Sequence, residues 1–386
     1  MKALMIGQHL ELSMVIPDLL NRAGFEVDVL TSNVQLNYLR RVAHVYVTEN
    51  IHELVSKARN CLSQPYQLIV ITDDLTLKII LDSHLTCSQK TALLPVLSHE
   101  HFSHLYSKIG LSHLFKKHHV LTPDFFIAHE FAEITQKIPQ LGYPVLIKID
   151  SSGGGEGVFA CNHAQDLASL QFKLSCYPVL VQKKIPGMVI DVSGFFQQGR
   201  LIHFDYSTFE QVGPNQFGAS IVRKYHALST IDPRIFDELS HIGRILGADG
   251  FSNITCIHST VDNKRYYFEA DMRPNAWVAH SRYFTTDIAQ RIKDYFATGA
   301  TLQHNHTDDV ASQNYILLPY IPRMSIYAIL INRYYCWKYL DKNIMIPLFK
   351  TWWAARWQGL LRWHYLAWSK RLLALAISFT ITKLND

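Results

Sequence analysis

The 386-residue sequence predicts an α/β (α+β) fold with alternating strands and helices at the N-terminus, a strand-rich middle and a basic helical tail. The apolar segments KALMI, FEVDVLTS and YQLIVIT are separated by helical patterns, which is typical of a βαβ start with parallel strands. Strands dominate after about residue 100, and a shift in charge marks the tail. Because 48% of the residues are hydrophobic, we expect large cores and two or three domains.

The end of the first strand lacks the signature of a dinucleotide site. The segment GQHLELS, residues 7–13, has no GxGxxG spacing, so we expect no dinucleotide there. The segment YQLIVITDD, residues 66–74, ends in two carboxylates, and functional side chains in parallel sheets follow the carboxyl ends of strands. The six cysteines lie far apart without CxxC spacing, and the N-terminus shows no secretory segment. These features favour a cytoplasmic protein with reduced thiols.

Glycine and proline separate the elements predicted in the middle of the chain. We predict helices over residues 107–123 and 131–142, the first closed by Pro123. Strands are predicted over 143–149, 157–162, 178–185, 188–197, 201–209, 250–260 and 265–272. The turn QQGR joins the fourth and fifth of these strands as a hairpin. A further helix has Asp232 as its N-cap and ends at Gly247.

The segment YPVLIKIDSSGGGEGV, Tyr143 to Val158, combines an apolar strand, a lysine and four glycines. Bare backbone N–H groups in a glycine-rich loop can form an anion-binding nest, and Lys148 supplies a matching charge. The segment is not a P-loop, because GxxxxGK[ST] is absent and no helix follows immediately. Two interpretations stay open at this point: a loop that closes over a polyphosphate, and a flexible hairpin tip beside a surface lysine.

A second polar cluster, YYFEADMRPN, follows about 120 residues later. Glu269 and Asp271 are two residues apart on a predicted strand, so both point to one face, which Arg273 continues. Two neighbouring carboxylates repel each other unless a cation lies between them, and oxygen ligands favour Mg²⁺. Such an ion would hold ATP phosphates while Arg273 stabilises the transferring phosphoryl group. The alternative is a solvated strand end that carries a salt bridge.

With both motifs in this order, the chain resembles the ATP-grasp superfamily of carboxylate–amine and carboxylate–thiol ligases over roughly residues 1 to 310. The resemblance implies a Rossmann-like pre-ATP-grasp domain over 1–100, a lid subdomain over 101–186 and a catalytic subdomain over 187–312. It also implies that ATP lies between the last two. Residues 313–386 form the basic, Trp-rich helical region.

The resemblance implies which residues contact the nucleotide. Two lysines match the basic positions that contact phosphates, SSGGGEGV matches the mobile glycine-rich loop, and VLVQKKIPG matches the hinge that receives adenine. Lys183 stands where the family often has Glu, and Val189 stands where an acid is usual, so Asp191 is assigned to the ribose. The implied nucleotide-binding residues are Lys108, Lys148, Ser152, Gly153, Gly154, Gly155, Gly157, Gln182, Lys183, Ile185 and Asp191.

The metal ligands and the catalytic cations are also assigned through the resemblance. EADMRPN matches the family's E-x-N-x-R strand, with Asp271 in place of Asn. The implied metal ligands are Glu269, Asp271 and Thr255, the last from a strand where many members have an acid. Arg273 is expected to steady an acyl phosphate, and Arg223 to grip the acceptor carboxylate or the γ-phosphate. For Arg223, an exposed strand cation is the alternative.

The implied activity is that of an ATP-dependent ligase with ATP and Mg²⁺ as cofactors. A small-molecule or peptide carboxylate is activated as an acyl phosphate, and an amine or thiol acceptor displaces the phosphate. The alternative is an ATP-binding regulatory protein at a membrane surface that has lost turnover. Lys183 and Thr255, which depart from the family pattern, keep this alternative open.

The C-terminal region has its own composition. Residues 315–386 contain ten lysines and arginines against two acidic residues, a net charge of +8 that leaves −3 for the first 314 residues. The region also carries six of the seven tryptophans. A basic amphipathic helix of this kind suits an anionic membrane surface, and packing on the catalytic domain or a homodimer interface are the alternatives. We expect no nucleic-acid partner.

Overall fold

The computed structural model describes residues 1–174, 176–212, 217–280, 282, 287–299, 314–317, 350 and 353. The α-helices in these ranges are α1 (Leu10–Ser13), α2 (Ile16–Arg22), α3 (Ile51–Cys61), α4 (Asp74–Asp82), α5 (Cys87–Leu93), α6 (Lys108–Lys117), α7 (Phe131–Leu141), α8 (Ala164–Leu170), α9 (Arg234–Leu246) and α10 (Ile288–Thr298). The strands are β1 (Lys2–Ile6), β2 (Glu26–Thr31), β3 (His44–Val47), β4 (Leu68–Ile71), β5 (Phe125–Ala128), β6 (Val145–Ile149), β7 (Val158–Cys161), β8 (Val179–Lys183), β9 (Gly187–Gln197), β10 (Arg200–Val212), β11 (Ser220–His226), β12 (Gly250–Ser259), β13 (Arg265–Asp271) and β14 (Asn314–Leu317).

The N-terminal sheet is parallel, with the order β3-β2-β1-β4, as the βαβ pattern predicts. The helix predicted after β1 is divided into α1 and α2. Pro17 lies in the first turn of α2, where a backbone N–H has no partner within the helix, so proline is tolerated there. Because proline has no N–H to donate to the preceding turn, α1 and α2 do not form one continuous helix. Strand β4 ends just before Asp73, which caps α4 by accepting a hydrogen bond from Thr76 N at 2.8 Å.

The second sheet falls in the predicted lid subdomain and is called the lid sheet below. It is antiparallel and has the order β5-β8-β6-β7. Its buried residues form a separate core with α7 and α8, which includes Ile134, Val145, Ile147 and Val181. The sequence predicts β6, β7, β8 and α7 within a few residues, but not the short elements β5 and α8.

The third sheet has six strands in the order β13-β12-β9-β10-β11-β14. The turn QQGR joins β9 to β10 as predicted, and Gln198 and Gly199 both have positive φ angles, of 51° and 73°. Helix α9 covers one face of this sheet with the buried residues Ile235, Leu239, Ile242 and Leu246, and it ends at the left-handed Gly247 as predicted. The helix begins at Arg234, whose N–H donates to Asp232 Oδ1 at 3.0 Å.

The two faces of the six-stranded sheet differ in chemistry because strand residues alternate between them. Ile190, Val192 and Ile254 face the apolar core that contains α9. The opposite face buries polar side chains: Asp191, Ser193, Asp205, Ser207, Asn253 and Thr255. Buried polar groups need partners, so this face is where a functional site is expected.

The predictions for the C-terminal region lie largely outside the described residues. Within residues 315–386 the described positions are 315–317, which belong to the edge strand β14, and 350 and 353. Lys350 Nζ lies 5.6 Å from the centroid of the Tyr38 ring. In the described parts of the chain, no helix is long and apolar enough to cross a bilayer. Membrane attachment, dimer formation and the domain boundaries stay predictions.

Candidate active site

Two rows of polar residues cross the six-stranded sheet at its β13 edge. Thr255 on β12 is paired with Glu269 on β13 and with Asp191 on β9. Asn253 is paired in the same way with Asp271 and Ser193. Directly paired residues of antiparallel strands point to the same face. All three predicted metal ligands therefore lie together on the polar face.

Lys148, from the lid sheet, lies near these carboxylates. Its side chain is on β6 and is only 5% exposed, and its Nζ lies 4.8 Å from the centroid of Phe268 on β13. Burial lowers the pKa of Lys148 to about 8, the nearby Glu269 carboxylate opposes this shift, and Lys108 adds to it. The predicted convergence of Lys148 and Glu269 across the two sheets is therefore present.

The hinge strand β8 contributes an amide next to this lysine. Lys148 Nζ donates to Gln182 Oε1 at 2.7 Å, while Gln182 Nε2 is buried and has no partner among the described residues. The Lys183 ammonium donates to the carbonyls of Gly142 and Tyr143, both at 3.1 Å, and its backbone N–H donates to Asp124 O at 2.8 Å. The Lys183 side chain is thus occupied within the lid, whereas Gln182 retains a donor.

Lys108 and Asp150 tie the base of the glycine-rich loop to the start of α6. The Asp150 carboxylate accepts from Ser107 Oγ at 3.0 Å and from the backbone N–H of Ile109 at 2.8 Å. Lys108 Nζ donates to Asp150 O at 3.2 Å, to Ser152 Oγ at 3.1 Å and to Ser152 O. The predicted phosphate contact Lys108 therefore lies directly under the loop, where it bonds loop oxygens.

The glycine-rich loop lies between Asp74, at the start of α4, and Phe217, in the segment before β11. A Cβ atom on Gly153 would lie 3.8 Å from Asp74 Oδ2, and one on Gly155 would lie 2.0 Å from the backbone oxygen of Phe217. Gly154 and Gly155 have positive φ angles of 60° and 75°. Gly155 is therefore required both by its backbone conformation and by the close approach of Phe217.

Arg273 is held by two carboxylates in a way that the sequence motif does not predict. Its Nε and Nη2 each donate to one oxygen of Asp74 at 2.7 Å, and Nη2 also donates to Asp271 Oδ2 at 2.9 Å. Asp74 is the first residue of α4, at the carboxyl end of β4. The sequence predicts that the two carboxylates at the end of YQLIVITDD lie at a functional edge of the sheet. It does not predict that Asp74 pairs with Arg273, which follows a distant strand.

Asp271 has the most perturbed environment of the acidic residues in the site. Its burial raises its pKa well above the usual value, and the carboxylates of Asp74 and Glu269 act in the same direction. Arg273 and Lys108 oppose the shift. Repulsion among three neighbouring carboxylates is the situation that a bound cation relieves.

Arg223 and Asp191 form an ion pair at the centre of the polar face. Arg223 Nε donates to Ser220 Oγ at 2.7 Å, Nη1 donates to Asp191 Oδ1, and the guanidinium carbon lies 4.8 Å from the Trp277 ring centroid. Both side chains are buried, so Arg223 is not an exposed strand cation. The predicted ribose ligand Asp191 is thus the ion-pair partner of Arg223, and its contact with a nucleotide stays a prediction.

Asn275 belongs to the same network, although the sequence does not single it out. Its Nδ2 donates to Asp191 Oδ1 at 3.2 Å, to Ser193 Oγ at 2.9 Å and to Asn253 Oδ1. Its Oδ1 accepts from the backbone N–H of Trp277 at 3.0 Å. Asn275 therefore fixes the segment after the metal strand onto the polar face. Its place two residues after Arg273 is the one signal that could have identified it.

The residues of this site fit a nucleotide with its magnesium ion. The described residues contain no group of three or more histidine, cysteine, aspartate or glutamate side chains that could hold a metal by themselves. Magnesium is commonly held by one or two carboxylates together with substrate phosphates, and Glu269 and Asp271 supply two. Gln182 Nε2, which has no partner in the part of the chain that the structure describes, and the buried ammonium of Lys148 are donors that suit an adenine nitrogen and a phosphate.

Comparisons with solved structures agree with this arrangement at the level of the fold. An L-amino acid ligase from Bacillus licheniformis matches with a TM-score of 0.58 and 17% identity over 82% of this chain and 79% of that protein. An N5-carboxyaminoimidazole synthetase from Staphylococcus aureus matches with a TM-score of 0.60 and 14% identity, covering 82% and 81% of the two chains. The biotin carboxylase domain of the 2-oxoglutarate carboxylase from Hydrogenobacter thermophilus, in complex with MgADP and bicarbonate, gives 0.59 and 15%, covering 81% and 73%.

Sequence comparisons are weaker. No family profile matches the sequence. An acetyl-CoA carboxylase from Cryptosporiopsis sp. (strain 8999) is 25% identical over 159 residues, which cover 38% of this chain and only 6% of that much longer protein. The structural matches extend over about four fifths of the chain. The chain therefore has the ATP-grasp fold.

Proposed function

We propose that this chain is an ATP-dependent ligase that activates a carboxylate as an acyl phosphate and transfers the acyl group to an amine or thiol. The observation that carries the proposal is the approach of Lys148, on the lid sheet, to the strand β13 that carries Glu269 and Asp271: its Nζ lies 4.8 Å from the Phe268 ring, and it interacts with Glu269. The glycine-rich loop borders the same space, with Gly153 beside Asp74. A cation, a loop of bare N–H groups and an acidic edge are together suited to a magnesium-bound triphosphate.

The reaction has two steps in which the protein mainly positions groups and neutralises charge. In the first, an oxygen of the substrate carboxylate forms a bond with the γ-phosphorus, the bond to the bridging oxygen breaks, and ADP leaves. In the second, the amine or thiol attacks the carbonyl carbon, loses its proton, and expels inorganic phosphate. Magnesium held by Glu269 and Asp271 would neutralise charge on the phosphates.

The chain's own residues have distinct tasks in this scheme. Lys148 holds the phosphates from the lid side, and Gln182 presents its free amide donor to the base. Lys108 fixes the glycine-rich loop through the Ser152 oxygens and adds positive charge beneath it. Arg273 stabilises the acyl phosphate, and the buried Arg223 supports the polar face through Asp191 rather than meeting solvent. ATP and Mg²⁺ are the cofactors of this proposal.

The proposal is tested by incubating the purified chain with ATP, Mg²⁺ and pools of carboxylates and amines, and by measuring ADP and phosphate release. We expect release that requires both an acid and an acceptor. Glu269→Gln should reduce turnover by about 100-fold or more, because it removes a charged ligand of the metal. Glu133→Gln changes a half-buried carboxylate on α7 that pairs with Lys137; it is the matched control and should turn over as the wild type does. Nucleotide binding without release from any pool would favour a non-catalytic protein.

A further inference from the structure

The Asp74–Arg273 pair joins the N-terminal sheet to the metal strand. A guanidinium has five N–H groups. In Arg273, three of them donate to the carboxylates of Asp74 and Asp271, and one from Nη1 donates to Pro274 O at 3.3 Å. Only one N–H is left for any other acceptor. A substrate carboxylate or acyl phosphate can therefore bind Arg273 in bidentate fashion only by replacing one of these carboxylates.

Of the two carboxylates, Asp74 is the one that can be replaced. Asp271 lies on β13, two residues from Arg273, so the backbone keeps the two side chains on one face. Asp74 belongs to the other sheet, so no strand register fixes it to Arg273. Both carboxylates are 25% exposed and have Arg273 as their ion-pair partner among the described residues, so it is their positions in the fold that distinguish them. The neighbouring Asp73 stabilises the local structure: it caps α4 and accepts hydrogen bonds from Gln8 N at 2.6 Å and His9 N at 3.1 Å.

Asp74 also has another cation within reach. Lys78 lies one turn further along α4, and residues four apart on a helix are neighbours. Lys78 now pairs with Asp82 at 2.5 Å on the exposed side of the helix. The carboxylate can thus exchange a buried arginine for an exposed lysine.

We propose that Asp74 is an internal competitor for the anionic substrate: its carboxylate takes the position on Arg273 that the substrate carboxylate or acyl phosphate takes during the reaction. Binding of the substrate releases Asp74 toward Lys78. This inference rests on the proposed ligase function. It assigns the acid to the junction between the carboxyl edge of the N-terminal sheet and the metal strand, beside Gly153. Asp74 thereby sets the affinity for the acid without contacting it.

Inorganic phosphate, which shares the charge and acceptor geometry of the acyl phosphate, is the probe for this competition. Calorimetry first measures binding of MgADP, and then binding of phosphate to the chain saturated with MgADP. We expect Asp74→Asn to tighten phosphate binding by about tenfold, since the competing charge is removed while the side-chain shape is kept. Asp74→Ser serves as a second variant in case the amide itself bonds Arg273. Glu49→Gln, which changes an exposed carboxylate between β3 and α3, is the matched control and should leave phosphate affinity unchanged.

Each outcome has a definite consequence. Tighter phosphate binding in the two Asp74 variants, with unchanged MgADP affinity, supports the competition. The opposite result is that the two Asp74 variants bind phosphate as the wild type does or more weakly, while they still bind MgADP and unfold at the wild-type temperature. This result would mean that Asp74 only orients Arg273, and it would overturn the proposed competition. Equal tightening in Glu49→Gln would reduce the effect to general electrostatics and would also overturn the proposal. Failure of the wild type to bind MgADP would instead contradict the proposed function on which the inference rests.

Discussion

The ammonium of Lys148 donates to the side-chain oxygen of Gln182 at 2.7 Å. Both residues belong to the lid sheet, and Lys148 lies near Glu269 on β13, at the edge of the six-stranded sheet. A charged lysine at such depth is unfavourable unless a negative partner compensates for its lost hydration. Glu269 provides part of that compensation. A nucleotide phosphate would provide more, which explains why a cation is maintained in a buried position.

The pKa of Lys148 leads to a prediction about pH. Its pKa is lowered to about 8, so the side chain is charged below that pH and loses its proton as the pH rises through it. We therefore expect the affinity for a non-hydrolysable MgATP analogue to fall as the pH rises through about 8, by up to about tenfold per unit. Calorimetric titration across this range measures the effect. Lys148→Met should bind weakly at every pH, and a wild-type affinity that does not change above 8 would show that Lys148 does not hold the phosphates.

The glycine-rich loop offers a matched pair of substitutions. Gly154→Ala and Gly155→Ala both place a side chain at positive φ, with a strain of about 1–2 kcal/mol each. Of the two added Cβ atoms, the one on Gly155 meets Phe217 O at 2.0 Å, whereas no atom of the described residues lies within 4 Å of the one on Gly154. We expect Gly155→Ala to weaken nucleotide binding at least tenfold more than Gly154→Ala, since the loop cannot take its position beside Phe217. Equal affinities of the two variants would argue against this closed arrangement.

The buried ion pair of Asp191 and Arg223 predicts a large effect on stability. Arg223→Met leaves the Asp191 carboxylate unpaired on the polar face, and breaking a buried pair in this way costs about 3–5 kcal/mol of unfolding free energy. The double variant Asp191→Asn/Arg223→Met should recover part of this loss. Asp82→Asn, which breaks the exposed pair with Lys78, should change stability by less than about 1 kcal/mol. Urea denaturation measures all four proteins, and a loss below that of the exposed pair would show that Arg223 is not essential to the network.

The sequence predicts the parts of this protein whose signals are local. The apolar segments identify β1, β2 and β4, the QQGR turn identifies the β9–β10 hairpin, and Gly247 marks the end of α9. The spacing of Glu269 and Asp271 places both on one face, which needs no tertiary information. The short elements β5 and α8 lack such a signal.

The contacts that define the site are long-range and therefore less predictable. Nothing in the local pattern links Asp74 to Arg273, since the two are 199 positions apart. The same holds for Asp191 and Arg223, where the motif suggests ligand contacts and the fold adds an ion pair. Asn275 is missed because an asparagine after proline reads as a turn residue. Polar residues acquire their partners only when the strands are brought into register.

The measurement that tests the central claim most directly is calorimetric binding of a non-hydrolysable ATP analogue with and without Mg²⁺, in the wild type, Lys148→Met, Glu269→Gln and the control Glu133→Gln. Lys148 and Glu269 are predicted to meet on one magnesium-bound triphosphate, so the wild type and the control should bind one equivalent that depends on Mg²⁺. Each site variant should weaken binding by about 10- to 100-fold, the value of a lost charged contact. Binding that is absent in the wild type, or that neither substitution affects, would contradict the account.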